Sequence, residues 1–92
     1  MKAASIPFTQ FLRPNGRLVS VSIERPAEVA TKAQAIIAAG YRFECEELTT
    51  GDVSLTVAND DDGDLEIEVV PNGPTVPAAV DRLVERAFKA VL

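Results

Sequence analysis

The chain of 92 residues contains no histidine and only one cysteine, Cys45. Without histidine it lacks the usual general base near neutral pH and the commonest metal ligand. A Ser–His or Cys–His nucleophile is excluded within one chain for the same reason. A single cysteine cannot form an intramolecular disulfide, which fits a reducing compartment. The sequence therefore predicts no catalytic site, no metal site and no cofactor.

Long apolar runs are also missing, because no stretch approaches the roughly 20 residues of a membrane-spanning helix. Residues 1–6 hold one lysine and no long apolar region, which disfavours a signal peptide. The net charge of −5 argues against nonspecific binding to nucleic acid or anionic membranes. We therefore expect a cytoplasmic protein that binds neither nucleic acid nor a membrane.

The composition, 47% hydrophobic and 25% charged, is that of a globular protein. Its length predicts a single domain over residues 1–92, with 1–6 as a loose N-terminus. A helix is predicted from Pro26, which suits a first helical position, to a stop at Gly40. Its apolar face consists of residues at helical spacing: Val29, Ala33, Ile36 and Ile37.

Three alternating strands follow this helix. A three-residue loop ending at a left-handed Gly51 sets Cys45 opposite Leu55 and keeps the apolar residues on one face, whereas a two-residue turn mixes the faces. For the next hairpin, closed by the loop 59–63, the same criterion sets Leu55 opposite Ile67. That register also pairs Val57 with Leu65 and Val53 with Val69.

An N-terminal hairpin is predicted around Pro14-Asn15-Gly16, with Gly16 in the left-handed region. Its register stays open. A bulged turn sets Leu12 opposite Leu18. A two-residue turn shifts the pairing by one residue and therefore puts a different set of apolar residues on one face. The first groups Phe11 with Val19, Val21 and Ile23, and the second groups Phe8, Leu12, Val19 and Val21.

A last helix, capped by Thr75, carries an apolar stripe at helical spacing: Val76, Val80, Leu83, Val84, Ala87, Phe88 and Val91. The predicted fold is α+β with element order ββαβββα: a mostly antiparallel five-stranded sheet with both helices on one face. Strands two and three are predicted to run parallel, because one helix separates them. Whether the first hairpin joins beside strand three or strand five stays open.

In this arrangement the face without helices carries two polar cross-strand rows. The predicted partner-binding residues on it are Glu44, Glu46, Ser54, Thr56, Glu66 and Glu68. Such a surface could bind a basic protein patch. The alternative is a solvated face that keeps an open sheet soluble. Catalysis by carboxylates would need an enclosed pocket and a raised pKa.

Two further features favour structural interpretations. Cys45 shares a face with Phe43, which predicts a buried, inert thiol. The loop Asn59–Asp64 is acidic, but aligning Gly63 with the glycine of a helix-loop-helix calcium motif leaves Ala58 and Val69 at ligand positions, so a solvated hairpin loop is predicted. The helix-strand-strand-strand-helix order matches a double-stranded-RNA-binding domain. However, residues 77–81 lack the lysines that such domains place there.

The segments Phe8–Gly16, Ala39–Glu46, Leu48–Thr56 and Pro71–Pro74 together resemble a family of small uncharacterised bacterial and prophage proteins. The resemblance implies a phage-associated or accessory role and supplies no site residues. The leading hypothesis is a small, soluble, acidic, non-enzymatic binding or accessory module. The alternatives are an oligomerising protein that forms homodimers through its sheet edges and, less favoured, an enzyme that uses carboxylates.

Overall fold

A computed structural model describes residues 3–12 and 16–92 of the chain. The elements are β1 (Ala3–Leu12), β2 (Arg17–Pro26), α1 (Ala27–Ala38), β3 (Arg42–Glu47), β4 (Asp52–Asn59), β5 (Gly63–Pro71) and α2 (Val76–Val91). The predicted order ββαβββα and the α+β class are confirmed.

The five strands lie in the spatial order β2-β1-β3-β4-β5. The first hairpin therefore joins beside β3, through β1. β1 and β3 run parallel, and the other neighbours are antiparallel. The prediction that strands two and three run parallel is wrong, because β1 lies between them and is antiparallel to β2. Helix α1 consequently connects the C-terminal end of β2 to the N-terminal end of β3, and both of these lie at the same end of the sheet along the strand direction.

The first hairpin adopts neither predicted register, since Phe11 pairs with Leu18 and Leu12 with Arg17. The grouping expected from a two-residue turn nevertheless holds, because Phe8 pairs with Val21 on the helix side. Pro14 and Asn15 lie outside the described residues, and Gly16 has the predicted left-handed conformation, with φ of +67°.

The N-terminal segment is not loose from residue 3 onward. Residues 3–6 begin β1, and Ile6 is fully buried. The prediction of a loose terminus is wrong there because burial of Ile6 and a complete ladder with β2 hold this segment in place.

Both helices cover the same face of the sheet, and the core lies between them and the strands. Ile36 of α1 and Leu83 of α2 are fully buried in it, beside the rings of Phe8 and Phe43, whose centroids are 5.3 Å apart. Helix α1 ends before Gly40, as predicted, and the φ of that glycine is +100°. The helices thus leave the opposite face of the sheet uncovered.

The two hairpins of the β3–β5 meander differ in how well they follow the sequence pattern. The β3–β4 register is the predicted one, with Cys45 opposite Leu55. Along β4–β5, Ala58 pairs with Asp64 as the predicted register requires, but Val57 then pairs with Glu66. β5 therefore skips Leu65, which is a β-bulge.

This bulge shifts the remaining pairs by one residue. Leu55 lies opposite Glu68 rather than Ile67, and Val53 lies opposite Val70 rather than Val69. Because neighbouring strand residues point to opposite faces, the shift turns two glutamates of β5 towards the helices and two of its apolar residues away from them.

Candidate functional site: the open face of the sheet

We call the surface of the sheet opposite the helices the open face. Two rows of directly paired residues cross all five strands on it. One row is Leu18, Phe11, Glu46, Ser54 and Val69, and the other is Ser20, Thr9, Glu44, Thr56 and Ile67. Each row is polar at its centre, and an apolar residue stands at its β5 end.

Four of the six predicted binding residues lie together at the centre of this face. Glu44 pairs with Thr56 across β3 and β4, and Glu46 pairs with Ser54. The other two, Glu66 and Glu68, lie on the helix side instead, so that part of the prediction is wrong. The physical reason is the bulge at Leu65, which an argument from strict alternation could not include.

The displaced glutamates are bound by helix α2. Arg86 Nε donates to Glu66 Oε1 at 2.8 Å, and another nitrogen of Arg86 donates to Glu68 Oε2. Arg82 Nη2 donates to Glu68 Oε1 at 3.0 Å. These hydrogen bonds, chiefly the one from Arg86, hold the pKa of Glu68 below its ordinary value against the opposing effect of burial.

The sequence does contain a signal for these ion pairs. Arginines four residues apart share one face of a helix, and glutamates two residues apart share one face of a strand. The spacing therefore allows two arginines on one helix face, Arg82 and Arg86, to pair with two glutamates on one strand face, Glu66 and Glu68. Alternation of apolar residues alone, which assigned Ile67 and Val69 to the core, did not use this match.

Sequence reasoning also missed the apolar part of the open face. Its exposed large side chains are Phe11 (38% exposed), Leu18 (65%), Ile67 (47%) and Val69 (54%). Phe11 and Leu18 are direct cross-strand partners, and Ile67 and Val69 are neighbours along β5. The open face thus has an apolar flank on β1–β2 and another on β5.

A depression of about 190 Å³ lies at the centre of the face, lined among others by Phe11, Leu18, Glu44 and Glu46. The Glu44 side chain is 37% exposed, and its carboxylate accepts a hydrogen bond of 2.6 Å from Arg42. Arg42 also binds Asp60, at 2.8 Å. Carboxylate catalysis needs a water-excluding pocket, whereas the Glu44 carboxylate at this depression is open to solvent.

The remaining candidates are Cys45 and the acidic loop between β4 and β5. Cys45 is half-buried, and burial, followed by the nearby Glu47 charge, raises the pKa of its thiol, which disfavours the reactive thiolate. Residues 59–63 close a hairpin, as predicted, in which Asn59 Oδ1 accepts a hydrogen bond of 2.6 Å from the Asp62 backbone N–H. Within residues 3–12 and 16–92, no three acidic or cysteine side chains are arranged to hold a metal ion.

Neither helix of the described chain has the length and apolar character needed to cross a membrane. No protein-family model, curated protein or solved structure matches the chain.

Proposed function

We propose that the protein is a small, cytoplasmic, non-enzymatic accessory module whose open face binds a partner protein. The partner surface presents cationic side chains at its centre and apolar side chains beside them. The observation that carries this proposal is the composition of the open face, with apolar flanks on either side of Glu44 and Glu46. The resemblance to bacterial and prophage proteins suggests a phage-associated role.

The apolar flanks support binding of a protein. Single exposed hydrophobic residues are common on protein surfaces, but paired ones with a polar surround are typical of interaction sites. Phe11 lies directly beside Leu18, so one apolar residue of a partner can cover both. Ile67 and Val69 form a second such pair on β5, two strands beyond Glu44 and Glu46.

The acidic centre supports a cationic partner. Arg42 bridges Glu44 and Asp60, and that trio retains one net negative charge. The whole chain carries a net charge of −5, which favours encounter with a basic protein. Two copies stacked face to face would instead bring their acidic centres together, so a second copy is a poor occupant of this face.

The test is affinity capture from cells that express the protein, with two variants of equal charge change. Glu44→Arg with Glu46→Arg reverses the centre of the open face. Asp61→Arg with Asp62→Arg reverses two exposed loop carboxylates outside it. A third variant, Ile67→Lys, alters an apolar flank without touching the acidic centre.

We expect quantitative mass spectrometry to show one basic protein that is captured by the wild type and by the loop variant. The same protein should be lost with the two open-face variants. If every captured protein survives the open-face changes, or if the loop variant loses the same protein, the open face is not the binding site.

A further inference from the structure

We propose that two copies of the chain pair antiparallel along β2, which joins two five-stranded sheets into one continuous sheet. The twofold axis of this dimer passes beside Val21. The inference concerns a sheet edge and does not depend on a partner for the open face.

The two edges of the sheet differ in how they are protected. On the β5 edge, Arg86 Nη2 donates to the backbone oxygen of Ile67 at 2.9 Å, and the bulge at Leu65 interrupts the strand. Bulges and charged side chains are common devices that block strand addition. The other edge, β2, is a ten-residue strand whose segment 18–23 contains no charged residue and no proline. β2 is therefore the edge suited to pairing.

The apolar residues of β2 select the register. In an antiparallel pair related by a twofold axis, opposite residues lie on the same face of the sheet. An axis at Val21 pairs Val19 with Ile23 of the second copy and Val21 with itself. These three residues are only half-buried on the helix side of β2. An axis at Ser20 would set Ile23 opposite Arg17, and one at Ser22 would set Val19 opposite Arg25.

The charges on β2 are compatible with this dimer. The strand carries Arg17, Glu24 and Arg25, a net charge of +1 in a chain of net charge −5. β2 therefore carries less charge of one sign than the other edge strand, β5, whose charged residues Asp64, Glu66 and Glu68 are all acidic. The register sets Arg17 opposite Arg25 of the second copy. The Arg25 guanidinium donates to the Asp81 carboxylate at 2.7 and 2.6 Å, and this negative charge offsets the repulsion between the two arginines.

The helices leave room for the second copy. Helix α1 contacts β1, β2 and β3, and β1 is the middle strand of these three. With strands about 4.8 Å apart, two α1 helices centred over β1 would lie roughly 14 Å from each other across the twofold axis. Packed helices lie about 8–10 Å apart, so the dimer brings no clash between them.

Sedimentation equilibrium of the full chain tests the dimer, with two variants at the exposed serines of β2. The register sets Ser20 opposite Ser22 of the second copy. Ser20→Asp with Ser22→Asp places like charges in both of these pairs and should weaken dimerisation by roughly tenfold or more. Ser20→Asp with Ser22→Lys places opposite charges in the same pairs and should retain the dimer.

The register is tested by cysteine cross-linking in a Cys45→Ser background. Val21→Cys places a cysteine opposite its own copy at a distance that allows a disulfide, since antiparallel partners have Cα atoms about 4.5–5.5 Å apart. Val19→Cys places the two sulfurs about four residues apart along the strands, or roughly 13 Å. We expect oxidation to link the first variant into a covalent dimer and to leave the second unlinked.

Several results would overturn the inference. If the wild-type chain sediments as a monomer at high micromolar concentration, the dimer is ruled out. A dimer that both serine variants retain unchanged must use another surface. Cross-linking of Val19→Cys without Val21→Cys contradicts the proposed register. Circular dichroism of each variant separates loss of pairing from loss of folding.

Discussion

Arg86 and Glu68 are joined across the interface between α2 and β5, on the covered side of the sheet. The bulge at Leu65 turns Glu68 in this direction, and Arg86 meets it from the helix. The same residue also binds Glu66 and the backbone of Ile67. Arg86 therefore binds both glutamates of β5, with Arg82 supplying the second positive charge, and it also protects the edge of the sheet.

Replacing Glu68 with glutamine should destabilise the protein by about 1 kcal/mol, since the change removes a paired charge whose side chain is only 15% exposed. Urea denaturation at neutral pH measures this change. Asp61→Asn is the matched control, because it makes the same chemical change at an exposed loop position and should leave the free energy of unfolding unaltered. Equal effects at the two positions would show that the Arg86–Glu68 pair adds nothing to stability.

The stability contributed by Glu68 should depend on pH. The folded-state pKa of this residue lies below its unfolded value, chiefly because of Arg86. The contribution is therefore complete above the unfolded pKa of about 4.3 and is lost as the pH falls through the folded pKa. Denaturation curves of wild type and Glu68→Gln should differ near neutral pH and converge in acid. A difference that persists or grows in acid would rule out this linkage.

Phe8 and Phe11 differ by three positions and lie on opposite faces of β1. Phe8 is 1% exposed and packs on Phe43, whereas Phe11 is 38% exposed on the open face. Phe8→Ala should cost about 3–5 kcal/mol, a large part of the stability of a domain of this size. Phe11→Ala should cost less than about 1 kcal/mol. Thermal unfolding followed by circular dichroism compares them, and a reversed order would mean that the two faces of β1 are assigned wrongly.

The thiol of Cys45 should react slowly in the native protein. Burial raises its pKa, so little thiolate is present at neutral pH. We expect iodoacetamide to alkylate the native chain several-fold more slowly than the urea-unfolded chain at the same pH. Equal rates in the two states would show that the thiol is accessible and unperturbed by its surroundings.

Much of the fold could be predicted because several local signals agree. Gly40 ends α1, and Gly51 closes the β3–β4 hairpin in the register that keeps Phe43 and Leu55 on one face. The α2 stripe is buried at Val80 and Leu83, as its spacing predicts. In each of these elements, turn chemistry and apolar periodicity indicate the same arrangement.

The β5 side of the open face could not be predicted, because its composition depends on a single bulge. Alternation in β5 favours burial of Ile67 and Val69, yet the structure buries neither and instead binds Glu66 and Glu68 with arginines of α2. The energetic difference between these registers involves tertiary charge pairing. Strand patterns alone do not contain that information.

The account depends on the β4–β5 register, which decides what the open face presents. The most direct test is an NMR measurement of cross-strand nuclear Overhauser effects between the backbones of these two strands. The structure predicts contacts of Thr56 with Ile67 and of Ser54 with Val69. Contacts of Leu55 with Ile67 and of Val53 with Val69 would contradict it, because they would return the glutamates of β5 to the open face and remove the apolar flank on β5.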